Sequence, residues 1–361
     1  MPDDTVSLAD LSSGLAATTA PSFIQTNLIS DGSIPAATTD ANLINPWGVA
    51  LSPTSPFWIS ENGTGLSSID SISGATITLN VIPAVTIPAP AGTTTAPAAG
   101  DTSTPTGQVF NSFPGAFVLS NGTAATFLFA TEDGTVAGWN QAAGATALLP
   151  IDNSATGAVY KGLAIGMSAS GPTLYAANFN SGTVDMFDST FKPLKSFSDP
   201  TVPAGYAPFN VQVLNNELYV TYALQDAAKH DDVAGLGNGF VDAFDLDGNM
   251  LGRVGSNGML DSPWGLAIAP AMFGSYAGDL LVGNFGDGAI NVFDQKSNTF
   301  VAQLTGPDGN PITIDGLWAL TPGNGGSGGD PNTIYFSAGP SGEIHGLFGS
   351  LIAAPATTPG M

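Results

Sequence analysis

The sequence contains no cysteine and very few basic residues. Without cysteine the chain has no disulfide, no zinc–thiolate site and no thiol nucleophile. Six Lys and Arg residues stand against 29 Asp and Glu residues, which gives a formal net charge of −23. Because so few cations are available to neutralise phosphates, we expect no nucleic-acid partner and no binding to an anionic membrane surface. The charge favours a metal cation or a basic partner instead.

The chain also lacks long apolar runs. No stretch of about 18 apolar residues is present, so the sequence predicts no membrane span. Residues 1–4 show no basic segment ahead of an apolar one, so no signal peptide is visible, although a mature exported product would look the same. The abundance of Thr, Ser, Ala and Gly, with little Lys, favours an extracellular, cell-surface or periplasmic location.

What the sequence does contain is a repeated pattern of short β-strands. No sustained helical period is present, and short Val, Ile, Leu and Phe runs alternate with turn-forming clusters that include many of the 46 glycines and 27 prolines. One recurring unit is a glycine followed by an apolar run. We place its six copies, spaced 47 to 67 residues apart, at Gly48, Gly115, Gly162, Asn210, Gly265 and Gly316. A second unit, Gly-x-Val/Ile-x-x-Phe-Asp, follows at residues 182–188 and 288–294 and in weaker forms elsewhere.

This spacing predicts an all-β fold, a six-bladed β-propeller. Four-stranded blades repeat at about 40–50 residues. The last unit ends soon after its third strand, near residues 347–349, which would leave a ladder edge exposed. The apolar segment at residues 23–29 can supply the missing outer strand and close the ring. We therefore expect one propeller domain over residues 22–352, a flexible lead at 1–21 and a flexible tail at 353–361.

Two insertions account for the longer spacings. Residues 83–107 follow the outer strand of the first blade, and residues 225–237 expand the turn between the second and third strands of the fourth blade. In a propeller both kinds of connection emerge on one face, around the mouth of the central channel. We call this the loop face and expect function to concentrate there.

Several segments, taken in order, are similar to those of a known family. They are residues 45–48 (Asn-Pro-Trp-Gly), 130–134 (Ala-Thr-Glu-Asp-Gly), 229–235 (Lys-His-Asp-Asp-Val-Ala-Gly), 262–267, 283–288, 314–318 and 343–349. Over residues 22–351 the chain resembles an uncharacterised bacterial family, some of whose members carry a PEP-CTERM sorting tail. The resemblance implies a propeller similar to NHL-type ones, and export. It implies no activity, because the family has none assigned.

Polar residues gather at the predicted mouth of the channel. The starts of the inner strands and the turns between second and third strands place there Asn45, Glu61, Glu132, Asp133, Lys161, Asn178, Asn210, Asn284, Asp287, Asp315 and Glu343. Converging carboxylate and amide oxygens suit Ca²⁺, which takes about six to eight oxygen ligands. The alternative for each Asn or Asp is that it only shapes a tight turn. Lys161 can bind a substrate carboxylate, or it can pair with Glu132.

The two histidines are candidates for metal binding or proton transfer. His230 lies in the expanded turn next to Asp231 and Asp232, where it can ligate a metal or act as a general base; the alternative is an exposed loop histidine. We assign His345 to the third strand of the last blade, where a structural hydrogen bond is the favoured role. With Glu343 or Asp231 the two histidines could form a transition-metal site, although the fourth and sixth blades are not neighbours.

The sequence is compatible with two functions. The absence of nucleophile-elbow, zinc-protease and phosphate-loop motifs favours a binding or scaffold protein. It would hold an unknown protein or small-molecule ligand on the loop face, with Ca²⁺ or another divalent metal as a structural aid. The alternative is a metal-dependent lyase or hydrolase at the channel mouth. Its catalytic candidates are His230, Glu132, Lys161 and Asp315, and its metal candidates are Asp231, Asp232, Glu343 and His345.

Overall fold

The computed structural model describes residues 20–90 and 101–355, and nearly all of the regular structure is β-strand. Six sheets follow one another along the chain; their blade strands pair antiparallel, and the sixth sheet is completed by the N-terminal strand. This is the predicted six-bladed β-propeller. Most of the predicted flexible lead and tail lies outside the described residues.

In blades 2 to 5 the four strands run in chain order from the axis outward. The N-terminal segment contributes β1 (Phe23–Ser30) and β2 (Thr38–Thr39). Blade 1 contains β3 (Pro46–Ala50), β4 (Phe57–Glu61), β5 (Leu66–Ser73), β6 (Thr76–Thr78) and β7 (Val85–Thr86). Blade 2 contains β8 (Pro105–Phe110), β9 (Phe127–Thr131), β10 (Thr135–Trp139) and β11 (Leu148–Asp152). Blade 3 contains β12 (Tyr160–Ser168), β13 (Gly171–Asn178), β14 (Thr183–Asp188) and β15 (Pro193–Phe197).

The second half of the ring has the same plan. Blade 4 contains β16 (Tyr206–Leu214), β17 (Glu217–Leu224), β18 (Gly239–Phe244) and β19 (Met250–Ser256). Blade 5 contains β20 (Pro263–Ile268), β21 (Leu280–Asn284), β22 (Ile290–Asp294) and β23 (Thr299–Gln303). Blade 6 contains β24 (Leu317–Pro322), β25 (Ile334–Ala338) and β26 (Leu347–Ala353). In the part of the chain that the structure describes, no helix is long and apolar enough to cross a membrane.

The N-terminal strand closes the ring as the sequence predicted. Strand β1 pairs antiparallel with β26, with Phe23 opposite Ala353 and Ser30 opposite Leu347. The Phe23 side chain is buried, and its ring lies 4.7 Å from that of Phe273 in blade 5, measured between centroids. The strand thus removes the exposed edge of β26 and also attaches blade 6 to its neighbour.

Glycines on the inner strands allow neighbouring blades to approach closely. A side chain at Gly107 would collide with the backbone of Leu163, and one at Gly162 would collide with Asn210. The blade 2 copy of the repeat is therefore Gly107, on β8. Our placement of that copy at Gly115 was wrong: this glycine lies in the loop after β8, with open space beside it. The insertion before β8 shifted the apparent spacing.

The third strand of blade 6 also differs from the prediction. Strand β26 begins at Leu347, so His345 lies in the turn before it and not on the strand. Ser341, Gly342 and Glu343 have φ values of 59°, 70° and 68°. Three successive left-handed residues cannot continue a β-strand, and they fold residues 340–343 into a tight turn instead.

Candidate functional site

Buried aromatic rings fill the axis of the propeller beneath the loop face. Trp47 and Trp318 stack with their ring centroids 3.5 Å apart, and Phe285 stacks on Trp318 at 4.0 Å. Trp264 meets both tryptophans edge-on. Because these residues come from blades 1, 5 and 6, their packing joins the blades at the axis, and it provides a rigid apolar floor for the polar groups above it.

The start of β12 places Lys161 on this floor. Its side chain is only 1% exposed, and its ammonium group contacts the carboxylate of Glu132 from blade 2. The same nitrogen lies 3.4 Å from Asp231 Oδ1 and 5.0 Å from the centroid of the Trp47 ring. Carboxylate and aromatic partners of this kind compensate a buried ammonium for the water that it has lost.

A chain of hydrogen bonds connects this ion pair to blades 1 and 6. The Asn62 amide donates to Glu132 Oε2 over 2.8 Å and accepts from Asn45 Nδ2 over 3.3 Å. The same Asn45 nitrogen lies 2.7 Å from Glu343 Oε2 and donates to it. The Trp318 indole donates to Asn45 Oδ1 over 3.0 Å, which fixes the asparagine to the aromatic floor.

The expanded turn of blade 4 brings two more groups to Lys161. His230 Nδ1 lies 2.9 Å from Asp231 Oδ1, and the two side chains are 46% and 66% exposed. Asp226 Oδ1 accepts the backbone N–H groups of His230 and Asp231, which holds the turn in this shape. The insertion therefore positions a partly exposed histidine–carboxylate pair at the rim of the site.

Two carboxylates at this site have pKa values raised above their usual range. Burial raises the pKa of Asp232 to about 6, with the positive charge of Lys161 acting in the opposite direction. Burial also raises the pKa of Glu343, and repulsion from Glu132 and Asp232 adds to the increase. Asp232 Oδ2 is buried without a hydrogen-bond donor among the described residues. We call the group formed by Glu132, Lys161, Asp231, Asp232 and Glu343 the acidic basin.

Three of the predicted groups have the arrangement of a metal site. The potential ligand atoms of Glu132, His230 and Asp231 all lie within 4.8 Å of one another. One imidazole and two carboxylates suit Zn²⁺ or Mn²⁺ better than Ca²⁺, which prefers oxygen ligands alone. The Lys161 ammonium contacts both of these carboxylates, so an incoming cation would have to displace it.

The structure unites most of the predicted site residues and leaves two apart. Glu132, Lys161, His230 and Asp231 converge, with Asp232 and Glu343 beside them. Asp315 does not join them: β24 begins only at Leu317, and the exposed Asp315 carboxylate accepts the backbone N–H of Ser341 over 2.8 Å. His345 does not join them either, since its Nδ1 lies 2.7 Å from Asp31 Oδ2, beside the N-terminal strand.

Asn62, which carries the hydrogen bonds between Asn45 and Glu132, is not among the residues predicted from the sequence. The adjacent Glu61 is predicted at the channel mouth, but its side chain is fully buried inside blade 1. Asn62 is the first residue after β4, in the same turn as Glu61. A rule that favours the residue just beyond the strand end would have found it.

Fold and site together define a six-bladed β-propeller with an acidic basin on its loop face. No family model matches the chain. The chain is 34% identical over 338 residues to the uncharacterised protein R648 of Acanthamoeba polyphaga mimivirus, covering 90% of this chain and 78% of that protein. It is 33% identical over 340 residues to protein L690 of the same virus, covering 90% and 84%. The chain belongs to the family of these two proteins, and the comparisons do not support the resemblance to a bacterial family.

Solved structures share the fold at low sequence identity. The GH93 α-L-arabinofuranosidase of Fusarium graminearum, solved with arabinobiose, aligns with a TM-score of 0.55 and 12% identity, over 92% of this chain and 98% of that one. A streptogramin B lyase aligns with a TM-score of 0.49 and 10% identity, over 92% and 97%. At such identity the likeness shows the propeller fold alone.

Proposed function

We propose that this propeller is a binding protein whose acidic basin receives a positively charged group of a ligand or partner. The observation that carries the proposal is the balance of charge: four carboxylates surround one ammonium. Lys161 neutralises at most one of them, and the remaining negative charge lies at the axis of a rigid ring. Such a concentration of one sign of charge attracts and orients a cationic group.

The exposure of the individual groups indicates how a ligand would bind. The Lys161 side chain is buried, whereas Asp231 is 66% exposed at the rim. Asp232 Oδ2, which has no donor in the described chain, is a further acceptor. Because the aromatic floor fills the axis, the ligand would bind across the rim of the basin and would not enter the channel from this side.

The whole chain is acidic, so an experiment has to separate the basin from general surface charge. We would titrate fluorescein-labelled pentalysine by anisotropy against the wild type and against an Asp231→Asn/Glu343→Gln variant. The matched control is Asp294→Asn/Asp308→Asn, which removes the same charge from two exposed turns. We expect roughly tenfold weaker binding in the basin variant, about 1.4 kcal/mol, and less than about twofold weakening in the control. Equal weakening in both would refute the proposal.

A metal-dependent lyase or hydrolase is the second candidate. It is favoured by the grouping of Glu132, His230 and Asp231, the three residues that could hold a divalent metal. A metal in that position would act as a Lewis acid or activate a bound water. Titration calorimetry with Mn²⁺ and Zn²⁺ tests the site without an assumed substrate. Binding that is lost in His230→Ala would favour this candidate, and absence of binding to the wild type would count against it.

A further inference from the structure

A second group of carboxylates is buried inside blade 1 and does not belong to the acidic basin. Asp40 precedes β3, Glu61 ends β4, and Asp70 lies on β5. Their exposed fractions are 7%, 0% and 0%. Strand pairing of Glu61 with Leu66 and of Phe57 with Asp70 puts the Glu61 and Asp70 side chains on the same face of the blade.

Polar contacts connect these carboxylates into one cluster. The Asn80 side-chain amide donates to Asp40 Oδ2 over 2.9 Å, and its backbone N–H donates to Asp70 Oδ1 over 2.8 Å. The Ser68 hydroxyl donates to Asp70 Oδ2 over 3.4 Å, and Glu61, on the same face of the blade, accepts from Thr64 through Oε2 over 3.0 Å. The three acidic side chains are therefore held in one polar interior of the blade and are not scattered along it.

The cluster has no cationic partner among the described residues, and two of its oxygen atoms have no hydrogen-bond donor. No Lys, Arg or His in residues 20–90 and 101–355 forms an ion pair with Asp40, Glu61 or Asp70. Glu61 Oε1 and Asn80 Oδ1 are buried with no donor. A buried acceptor without a donor destabilises the fold, and several buried carboxylates without a cation repel one another. These two unpartnered oxygens indicate a missing positively charged ligand.

We propose that this cluster binds a calcium ion. Glu61 Oε1 and Asn80 Oδ1 are the ligands that the fold leaves free, while Asp40 and Asp70 add negative charge and further oxygens. The donor set contains oxygen alone, and Ca²⁺ accepts about six to eight oxygens in flexible geometry, with water completing the shell. The ion would connect β4, β5 and the segments before β3 and after β6, and would thereby stabilise blade 1.

The direction in which one isosteric substitution, Glu61→Gln, changes the Tm tests the proposal. We would compare thermal unfolding of the wild type and of Glu61→Gln in EDTA and in excess CaCl₂. If the cluster binds calcium, the ion raises the wild-type Tm by several degrees, and Glu61→Gln lowers the Tm in calcium and abolishes the response. If it binds none, the wild type does not respond, and Glu61→Gln leaves the Tm unchanged or raises it, because it removes one of three buried like charges. That second result would overturn the proposal.

A second variant and a control separate calcium binding in blade 1 from any effect of the acidic basin. Asp70→Asn should reduce the calcium response in the same way if Glu61→Gln fails to fold. Asp231→Asn changes the acidic basin only and should keep the wild-type response, whether or not the proposed function holds. A calcium response lost in Asp231→Asn but kept in the two blade 1 variants would place the ion in the basin and contradict the proposal.

Discussion

The ammonium of Lys161 and the carboxylate of Glu132 form an ion pair across the contact between blades 3 and 2, with side chains only 1% and 11% exposed. The other four lysines of the chain are all exposed. A protein with so few cations thus buries one of them at its axis. The pair both joins two blades and sets the charge of the acidic basin.

Removing the cation from this pair should destabilise the protein. In Lys161→Met the Glu132 carboxylate loses its buried partner, and we expect the free energy of unfolding to fall by about 3 kcal/mol. Urea unfolding followed by tryptophan fluorescence measures the change. The double variant Lys161→Met/Glu132→Gln removes the uncompensated charge as well and should recover a clear part of the loss. A double variant as unstable as the single one would show that packing, not charge, is responsible.

The sole arginine provides a second test of buried ion pairing. Arg253 bonds Asp242 through Nε and lies 2.5 Å from Asp199 Oδ2 through a terminal nitrogen, and both carboxylates are fully buried. Arg253→Met leaves both without a cation, so we expect a loss of about 3 kcal/mol in urea unfolding. Arg253→Lys should restore little of it, because a single ammonium cannot reproduce the two separate bonds that Nε and a terminal nitrogen of the planar guanidinium make to Asp242 and Asp199. The control, Lys195→Met on the exposed β15, should change stability by less than about 0.5 kcal/mol.

Stability should fall as the pH rises through the range in which Asp242 loses its proton. Burial raises the pKa of Asp242 to about 7, and Asp199 adds to the increase while Arg253 opposes it. The folded state therefore keeps a proton that the unfolded chain releases near pH 4. This contribution is complete below about pH 4 and is lost by about pH 7, with a slope of at most about 1.4 kcal/mol per pH unit. Between pH 5 and pH 7 the free energy of unfolding of Asp242→Asn should fall by about 1–2 kcal/mol less than that of the wild type. Urea unfolding at each pH measures this difference. An equal dependence on pH in the two proteins would contradict the assignment.

The closing strand should contribute to stability mainly through its buried face. Phe23 packs against Phe273 and Tyr276 of blade 5, so Phe23→Ala should cost about 3 kcal/mol by leaving a cavity. The next residue, Ile24, is 37% exposed on the other face of β1 and serves as the control. We expect Ile24→Ala to cost less than about 1 kcal/mol. Losses below about 1 kcal/mol in both variants would mean that β1 acts through its backbone pairing alone.

The sequence predicted the ring and its closure because these depend on periodic, local patterns. Strand period, turn residues and the unpaired edge near residues 347–349 all indicated six blades closed by the N-terminal segment. The predictions of individual positions were wrong where a turn interrupted the repeat. Gly115 fitted the unit by composition, but only Gly107 lies where neighbouring backbones leave no room for a side chain. No spacing rule carries that information.

The candidate site was predicted less completely, for a related reason. The expanded turn predicted that His230 and Asp231 lie at the mouth of the channel, and the structure places Asp231 beside Lys161 with His230 next to it. The hydrogen bonds of Asn45 and Asn62 depend on where blades 1, 2 and 6 meet. The position of His345 away from the basin depends on the left-handed turn before β26. Contacts of that kind follow from the tertiary arrangement, so the sequence alone could not place them.

The most direct test of the central claim is to locate a bound cationic ligand. We would cross-link a photoreactive pentalysine peptide to the wild-type protein and map the adducts by mass spectrometry. If the acidic basin is the binding site, the adducts concentrate in residues 225–237 and 341–345, which form its rim, and unlabelled peptide displaces them. Adducts spread over the outer strands of all the blades would contradict the claim and leave only general attraction to an acidic surface.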